Sequence, residues 1–271
     1  ILIKNAESFE LLSKVNTVVL DKTGTLTKGA PEVVDIIIHD KSYTSDILIQ
    51  YAASVEKLSE HPLAQAIAQY AVTMKIPHLQ VTDFTALEGV GVKATVEGHK
   101  MYIHKPESND SDKKLKELQQ QGKTVVVVEI DGKNVGLVSL SDTVKDNAKS
   151  AIEKLHSMHI EVIMLTGDNT HAAHYIAKQL GIDKVIAEVL PAEKAGKIKE
   201  LQSKNKVVAM AGDGINDAPA LVQAEVGIAM ATGTDVAIES ADITLIHGDI
   251  SKISQVIDLS RSTMLTVKQN L

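Results

Sequence analysis

The sequence predicts an α/β fold with two domains, and three observations carry this prediction. Aliphatic residues rather than aromatic ones supply the hydrophobicity, since the 271 residues include two Phe, five Tyr and no Trp. Short apolar runs alternate with helical patterns at the spacing of a doubly wound parallel sheet. Between residues 30 and 141 this alternation gives way to helices followed by hairpin-like segments, which predicts an α+β insert containing an antiparallel sheet. The predicted domains are therefore 1–29 with 142–271, and 30–141.

The doubly wound sheet is predicted from apolar runs that each end in a turn containing Gly, Asp or Thr. These runs cover residues 18–20, 162–165, 207–211 and 226–230. Helical patterns separate them at residues 147–158, 171–180 and 192–202. Ligands of such sheets bind outside the carboxyl ends of the strands. Polar residues at three of these ends are therefore expected to converge on one crevice, namely Asp21, Thr166–Gly167–Asp168 and Gly212–Asp213–Gly214.

The insert begins with two helical stretches and continues with paired alternating segments. The helices are predicted at residues 45–57 and 62–74, and the segments at 92–97, 99–103, 124–130 and 134–140. Asp131-Gly132 joins the last pair and is a strong signal for a two-residue hairpin turn. Residues 110–122 read as a polar helix or linker on the surface.

Charge and composition exclude several classes of function. A formal net charge of -7 argues against nucleic acid as a partner, because most of the surface would repel it. The chain has no Cys, which excludes disulfides and thiolate metal sites within it. No run approaches the roughly 18 consecutive apolar residues that a membrane helix requires.

The stretch "DKTGTLT" places Asp21 at the end of an apolar run, where a core strand has no use for a carboxylate. An Asp is ordinarily ionised at neutral pH and can attack phosphorus without an activating base. An anionic nucleophile approaching a phosphoryl group needs a divalent cation and fixed positive charges around it. Asp213 is placed to hold magnesium together with Asp21, and Lys194 would supply a fixed positive charge.

Other polar residues at the strand ends complete the predicted crevice. Thr166 and Gly167 offer a hydroxyl and a backbone N–H to a phosphate. Asn216 and Asp217 would orient the water molecules of the metal or bond to Asp213. Each residue alone also has a structural explanation, as a turn, a cap or a solvated helix residue. Their occurrence in one order, each at a strand end or helix start, favours chemistry.

Three of these stretches carry a family resemblance. "DKTGTLT", "MLTGDN" and "AGDGINDAPAL" resemble the phosphorylation-domain signatures of P-type cation-transporting ATPases, which are members of the haloacid dehalogenase superfamily. The resemblance implies a haloacid dehalogenase-like sheet in which Asp21 is phosphorylated by ATP. It also implies site residues for Mg²⁺ (Asp21, the Thr23 carbonyl and Asp213), for the phosphoryl group (Thr23, Thr166, Gly167 and Lys194) and for cofactor binding (Asp168).

The insert resembles the nucleotide-binding domain of the heavy-metal branch of this family. In that branch a Ser-Glu-His-Pro motif and a GxG motif surround adenine, and here they match His61, Gly89 and Gly91, with an upstream glutamate at Glu56. A GxG alone, or a single His near a helix start, is more often structural. The branch usually has a Gly-Asn pair after the second hairpin strand, whereas this chain reads "MYIHKPESND". Part of the adenine site is therefore expected to be missing or rebuilt.

The resemblance implies the cytosolic part of an integral membrane pump that exports a heavy metal. The flanking stretches "ILIKNAESFE" and "STMLTVKQNL" resemble copper(I) exporters, so Cu⁺ is the expected ion. Actuator and transmembrane domains of the same full-length chain are the implied partners, and nucleic acid is not. Two alternatives remain open at this point. One is a free-standing phosphatase of the superfamily with a cap domain, and the other is a non-catalytic ATP-binding regulatory module.

Overall fold

The computed structural model describes residues 1–87, 89–107, 112–231 and 234–270. The chain divides into two compact units, with Ile1–Gly29 and Val144–Leu271 in unit 1 and Ala30–Thr143 in unit 2. The assignment of 1–29 with 142–271 as a phosphorylation domain, and of 30–141 as a nucleotide-binding domain, stays a prediction. No helix within the described ranges is long and apolar enough to span a membrane.

Strands and helices alternate along most of the chain. The strands are β1 (Leu2–Ile3), β2 (Thr17–Asp21), β3 (Thr27–Ile38), β4 (Val81–Leu87), β5 (Gly91–Val96), β6 (His99–His104), β7 (Thr124–Ile130), β8 (Lys133–Val144), β9 (Glu161–Leu165), β10 (Lys184–Ile186), β11 (Val208–Gly212), β12 (Val226–Met230) and β13 (Ile243–Leu245). The helices are α1 (Ala6–Lys14), α2 (Ser45–Glu56), α3 (Pro62–Thr73), α4 (Lys113–Gln120), α5 (Ala148–Ser157), α6 (Thr170–Leu180), α7 (Lys194–Gln202), α8 (Ala218–Gln223), α9 (Asp235–Ser240) and α10 (Ser251–Asn270).

Unit 1 is built on a seven-stranded sheet in the order β1-β13-β12-β11-β2-β9-β10. All neighbouring pairs are parallel except β1 with β13, which is antiparallel. The central strands are buried on both faces, so that Val18 and Leu20 pack in one apolar cluster and Val19 in another. This double burial explains why the sequence shows continuous apolar runs rather than alternation. The predicted doubly wound sheet is confirmed.

Unit 2 is built on a six-stranded antiparallel sheet in the order β3-β8-β7-β6-β5-β4. Helices α2 and α3 cover one face, where Leu48, Ile49 and Ile67 are buried against the strands. Helix α4 covers part of the other face through Leu115 and Leu118. The predicted α+β insert with an antiparallel sheet is confirmed.

The sequence patterns missed the two edge strands of this sheet, β3 and β4. Strand β3 contains Pro31, which cannot donate a ladder hydrogen bond and is tolerated at an edge. Strand β4 contains Asp83 at a φ of 53° and a register shift between Thr82 and Thr85, so its apolar alternation is broken. Both omissions follow from the irregularity that edge strands tolerate.

Candidate active site

The site of unit 1 lies where the carboxyl ends of three parallel strands meet. Asp21 is the last residue of the central strand β2 and is paired with Leu165 of β9. On its other side β2 is paired with β11, with Leu20 opposite Ala211. The register therefore brings the turns after β9 and β11 to the end of β2 that carries Asp21.

A buried lysine joins two of the predicted carboxylates. Nζ of Lys194, at the start of α7, donates to Oδ1 of Asp21 and to Oδ1 of Asp217, both at 2.6 Å. The three residues are 7%, 5% and 2% exposed, respectively. A buried charge needs partners of this kind, and breaking the group would leave an uncompensated charge in the interior.

A third carboxylate completes the cluster. Oxygen atoms of Asp21, Asp213 and Asp217 lie within 4.8 Å of one another. Oδ2 of Asp217 accepts from the backbone N–H of Asp213 at 3.3 Å and of Gly214 at 3.2 Å, which holds the turn after β11. Carboxylate oxygens are the ligands that Mg²⁺ prefers, so this set of side chains fits a magnesium ion.

Crowding of these carboxylates changes the ionisation of Asp21. Burial first, and then the negative charge of Asp217, raise the pKa of Asp21 to about 7, although Lys194 opposes the shift. Without a metal ion, these surroundings favour the protonated form of Asp21 more than the residue type alone suggests. A nearby divalent cation reverses this effect because it favours the charged carboxylate. Burial alone would lower the pKa of Lys194, but the two carboxylates raise it.

The turn Lys22–Leu26 carries Thr23, the residue predicted to offer its carbonyl to the metal. Thr23 (φ −72°, ψ 130°) and Gly24 (φ 69°) have non-helical backbone angles. A Cβ built on Gly24 would lie 1.5 Å from Oδ2 of Asp213, so only glycine lets this turn approach that carboxylate. Nζ of Lys145 donates to the Gly24 carbonyl at 2.6 Å and anchors the turn.

The turn after β9 holds the other predicted phosphate ligands. Thr166 is buried and its Oγ1 accepts from the Asp168 N–H at 3.1 Å, while Gly167 is exposed. The Asp168 carboxylate forms an ion pair with Lys22 at 2.6 Å, so the first and second motifs are joined directly. Sequence reasoning missed Lys22, although it follows Asp21 directly.

The turn after β11 carries the last predicted residue of the crevice. Asn216 has an exposed side chain there.

Unit 2 contains a cavity of about 310 Å³. Four residues predicted from the insert motifs all line it: Glu56, His61, Gly89 and Gly91. His104 and Lys105 also line it, and they belong to the stretch "MYIHKPESND", which lacks the Gly-Asn pair of the family pattern. Residues 108–110 of the departing stretch lie outside the described residues.

The backbone geometry around the cavity gives each motif a structural reason. Nδ1 of His61 accepts from the Leu63 N–H at 3.2 Å and caps α3, so the neutral ring carries its proton on Nε2. Gly89 has a φ of 70° with open space beside its Cα. A Cβ on Gly91 would lie 2.1 Å from the Ile103 carbonyl oxygen, so β5 and β6 require glycine there. The open surface above Gly89 leaves room for a planar ligand.

Glu56 ends α2 and faces the cavity with only 6% of its surface exposed. Burial raises the pKa of Glu56 to about 7. A carboxyl group with such a pKa is partly protonated at neutral pH, and it can then donate as well as accept a hydrogen bond. Perturbed carboxyl groups of this kind in cavities are typical of functional sites.

We expect Glu56→Gln to stabilise the ligand-free protein increasingly as the pH rises. The contribution of Glu56 to stability is fully present below its unfolded pKa, near 4.5, and is lost as the pH rises through about 7. Gln keeps the shape but carries no charge, so the variant escapes this loss. The thermal midpoints of the variant and the unaltered protein should diverge between pH 5 and pH 8. Each kcal/mol of difference in the free energy of unfolding should separate the midpoints by roughly 2–4 °C. A difference that is constant with pH would contradict the raised pKa.

Comparisons with known proteins agree with this fold and site. The sequence model of the haloacid dehalogenase-like hydrolase family matches residues 15–225. The copper-exporting P-type ATPase of Staphylococcus saprophyticus is 46% identical over 279 residues, which cover 100% of this chain and 34% of that protein. The protein of the same name from Staphylococcus aureus is 45% identical over 280 residues, with the same coverage. The chain thus spans about a third of the length of the curated relatives it matches.

Solved structures show the same relationship. A zinc-transporting PIB-type ATPase in the E2.Pi state has a TM-score of 0.94 and 38% identity, covering 99% of this chain and 45% of that one. The catalytic domain of the CPx-ATPase CopB-B, from a study of conformational changes upon nucleotide binding, has a TM-score of 0.71 and 33% identity, with 94% of each chain covered. The chain belongs to the haloacid dehalogenase-like hydrolases, as a P-type ATPase catalytic domain. The family resemblance drawn from the three motifs is confirmed.

Proposed function

We propose that this chain is the ATP-binding and phosphorylation part of a copper(I)-exporting P-type ATPase, in which MgATP phosphorylates Asp21. The observation that carries the proposal is the cluster of Asp21, Asp213 and Asp217 around the buried Lys194 at one strand end. Such a cluster has no use in a packed core, because three carboxylates and one lysine leave excess negative charge in the interior. A divalent cation and a phosphoryl group account for it.

The proposed reaction is an in-line transfer of the γ-phosphoryl group to Asp21. A carboxylate oxygen of Asp21 attacks the γ-phosphorus, the new O–P bond forms, and the bond to the β-phosphate oxygen breaks as ADP leaves with the electron pair. Magnesium held by Asp21, the Thr23 carbonyl and Asp213 would supply positive charge to the phosphoryl oxygens. Lys194, which now donates to Asp21, stabilises the same oxygens as the charge moves onto them.

The remaining residues of the crevice position these groups. Asp217 fixes Lys194 through its Oδ1 and the turn of Asp213 through its Oδ2. We assign Thr166 and Gly167 to the phosphoryl group, since a hydroxyl and a backbone N–H at a strand end suit its oxygens. Asn216 is assigned to the water molecules around the metal. Asp168 is assigned to cofactor binding, and its ion pair with Lys22 must open or shift for that role.

The cavity of unit 2 is the proposed site for the base of ATP. Glu56 offers a buried carboxyl group, and His61 offers a donor from Nε2 because its Nδ1 is occupied by the helix cap. Gly89 and Gly91 expose backbone on which a planar ring can lie. Apolar side chains with a few polar groups are typical of small-molecule sites.

We expect His61→Asn to weaken ATP binding while keeping the stability of the protein. Asn is a favourable N-cap residue and replaces the bond to the Leu63 N–H, but it does not present the ring donor. His61→Ala loses both, so it should also lower the thermal midpoint. Calorimetry should show about a tenfold loss of affinity in both variants. An unchanged affinity in His61→Asn would reduce His61 to a helix cap.

We assign copper(I) as the exported ion on the strength of whole-chain similarity. Identity is 46% and 45% to the copper exporters and 38% to the zinc-transporting protein. The proposed partners are the actuator and transmembrane domains of a full-length chain, which would place this part on the cytosolic side of a membrane. ATP hydrolysis by the full-length protein, compared with Cu⁺ and with Zn²⁺, tests the ion separately from the phosphorylation chemistry.

The proposed chemistry is tested by incubating the chain with Mg²⁺ and γ-labelled ATP and quenching in acid. An acyl phosphate stays bound in acid and is released by hydroxylamine. Rapid hydrolysis of small phosphate esters without labelling would instead indicate a free-standing phosphatase. That outcome is disfavoured because such phosphatases usually carry a second Asp two residues after the nucleophile, and Thr23 occupies this position.

A further inference from the structure

We propose that Lys105 binds the phosphate tail of a nucleoside triphosphate whose base occupies the cavity of unit 2. This inference rests on the proposed function and deepens it, because it assigns the recognition of the phosphates to one residue and that of the base to others. It concerns the stretch "MYIHKPESND", where this chain lacks the Gly-Asn pair of the family pattern and which contains His104 and Lys105.

The charges around the cavity are arranged with a polarity that matches a nucleotide. Among the described residues that line it, Lys105 is the only Lys or Arg and Glu56 is the only Asp or Glu. Glu56 is buried, whereas Lys105 is exposed. Much of the remaining wall is apolar and includes Val92, Ile103 and Val126. A ligand with an uncharged ring at one end and a hydrated anion at the other satisfies both the carboxyl group and the lysine.

The size of the cavity sets which part of the ligand it encloses. Its volume of about 310 Å³ lies at the lower end of the roughly 300–1,000 Å³ of small-molecule sites. A nucleoside suits this volume better than a whole triphosphate. The charged tail would then extend into water, and the exposed Lys105 is the one Lys or Arg available to it among the described lining residues.

The main chain of Lys105 is held in place on both sides of its Cα. Its N–H donates to the Val90 carbonyl at 3.0 Å, and its carbonyl accepts from Nδ1 of His104 at 2.8 Å. The His104 ring is itself buried and stacks on Tyr102 with centroids 4.2 Å apart. Binding therefore has to order only the side chain of Lys105, which keeps the entropic cost of a phosphate contact small.

Calorimetry on the whole chain with ATP and with adenosine tests this assignment. We expect Lys105→Gln to weaken ATP binding about five- to tenfold, because an exposed charge-assisted contact is lost. Its affinity for adenosine, which has no phosphate, should be unchanged. Lys105→Arg should retain ATP affinity because it keeps the cation. Lys100→Gln is the matched control, since Lys100 is an exposed lysine of β6, the strand that ends just before Lys105, and it does not line the cavity.

The outcomes separate this inference from the proposed function. If the unaltered chain binds neither ATP nor adenosine, the proposed function fails and this inference fails with it. If the unaltered chain binds both ligands, then equal losses for both in Lys105→Gln, or no loss for either, overturn only the assignment of Lys105. A loss of affinity for ATP but not for adenosine would support the assignment of Lys105. The difference in ATP affinity between the unaltered chain and Lys105→Gln should become smaller at raised salt, since salt screens exposed charges.

Discussion

Asp21→Asn should abolish acid-stable, hydroxylamine-sensitive labelling by γ-labelled ATP while leaving ATP binding intact. The amide has nearly the shape of the carboxylate but is a far weaker nucleophile, so no acyl phosphate can form. The fold should persist, because Asn can still accept from Lys194 and carries no charge that burial would penalise. The proposed ATP site in unit 2 contains no part of this cluster.

Two controls make this result specific. Asp146→Asn removes an exposed carboxylate of the same unit and should retain full labelling. Calorimetry of Asp21→Asn should give the ATP affinity of the unaltered chain, which shows that the loss lies in the chemistry. Residual hydroxylamine-sensitive label in Asp21→Asn would assign the nucleophile to another residue.

The sequence was most informative where long motifs coincide with strand ends. Each apolar run of the parallel sheet is buried on both faces, so its pattern is unambiguous, and the turn that follows carries the polar residues. The contact between Lys194 and Asp21 joins residues 173 positions apart. No local spacing predicts such a contact, although the need for a fixed positive charge and the family resemblance both pointed to Lys194.

Other features depend on neighbours that a pattern does not reveal. The ion pair of Lys22 with Asp168 follows from the adjacency of β2 and β9, which a sequence pattern alone does not give. The raised pKa of Asp21 is a joint property of its burial and of Asp217. Residue type alone therefore suggested an ordinary ionised aspartate. The site residues of both units remain proposals that the variants described above can test.

The cavity of unit 2 shows how a departure from a family pattern can be interpreted. From the sequence, the missing Gly-Asn pair implied an adenine site that is partly missing or rebuilt. The structure places His104 and Lys105 in the cavity wall, where the first holds the main chain of the second. In this stretch a ring and a cation therefore line the cavity.

Asp213→Asn should lower the rate of phosphorylation about a hundred- to a thousandfold and raise the Mg²⁺ concentration needed for half-maximal labelling. Two effects oppose each other here. Loss of the Asp213 charge removes one cause of the raised pKa of Asp21 and so favours the nucleophilic carboxylate. Bound Mg²⁺ itself favours the charged carboxylate, so this gain is small in the presence of the metal. The loss of a metal ligand therefore dominates.

Measurement of labelling against Mg²⁺ concentration separates the two effects. Asp235→Asn, an exposed change in the same unit, should leave both the rate and the Mg²⁺ dependence unaltered. If Asp213→Asn is phosphorylated more slowly but its Mg²⁺ dependence is unshifted, then Asp213 has only a structural role, at the place where Gly24 approaches its carboxylate. A shifted dependence, with the rate partly restored at high Mg²⁺, is the result that direct coordination by Asp213 requires.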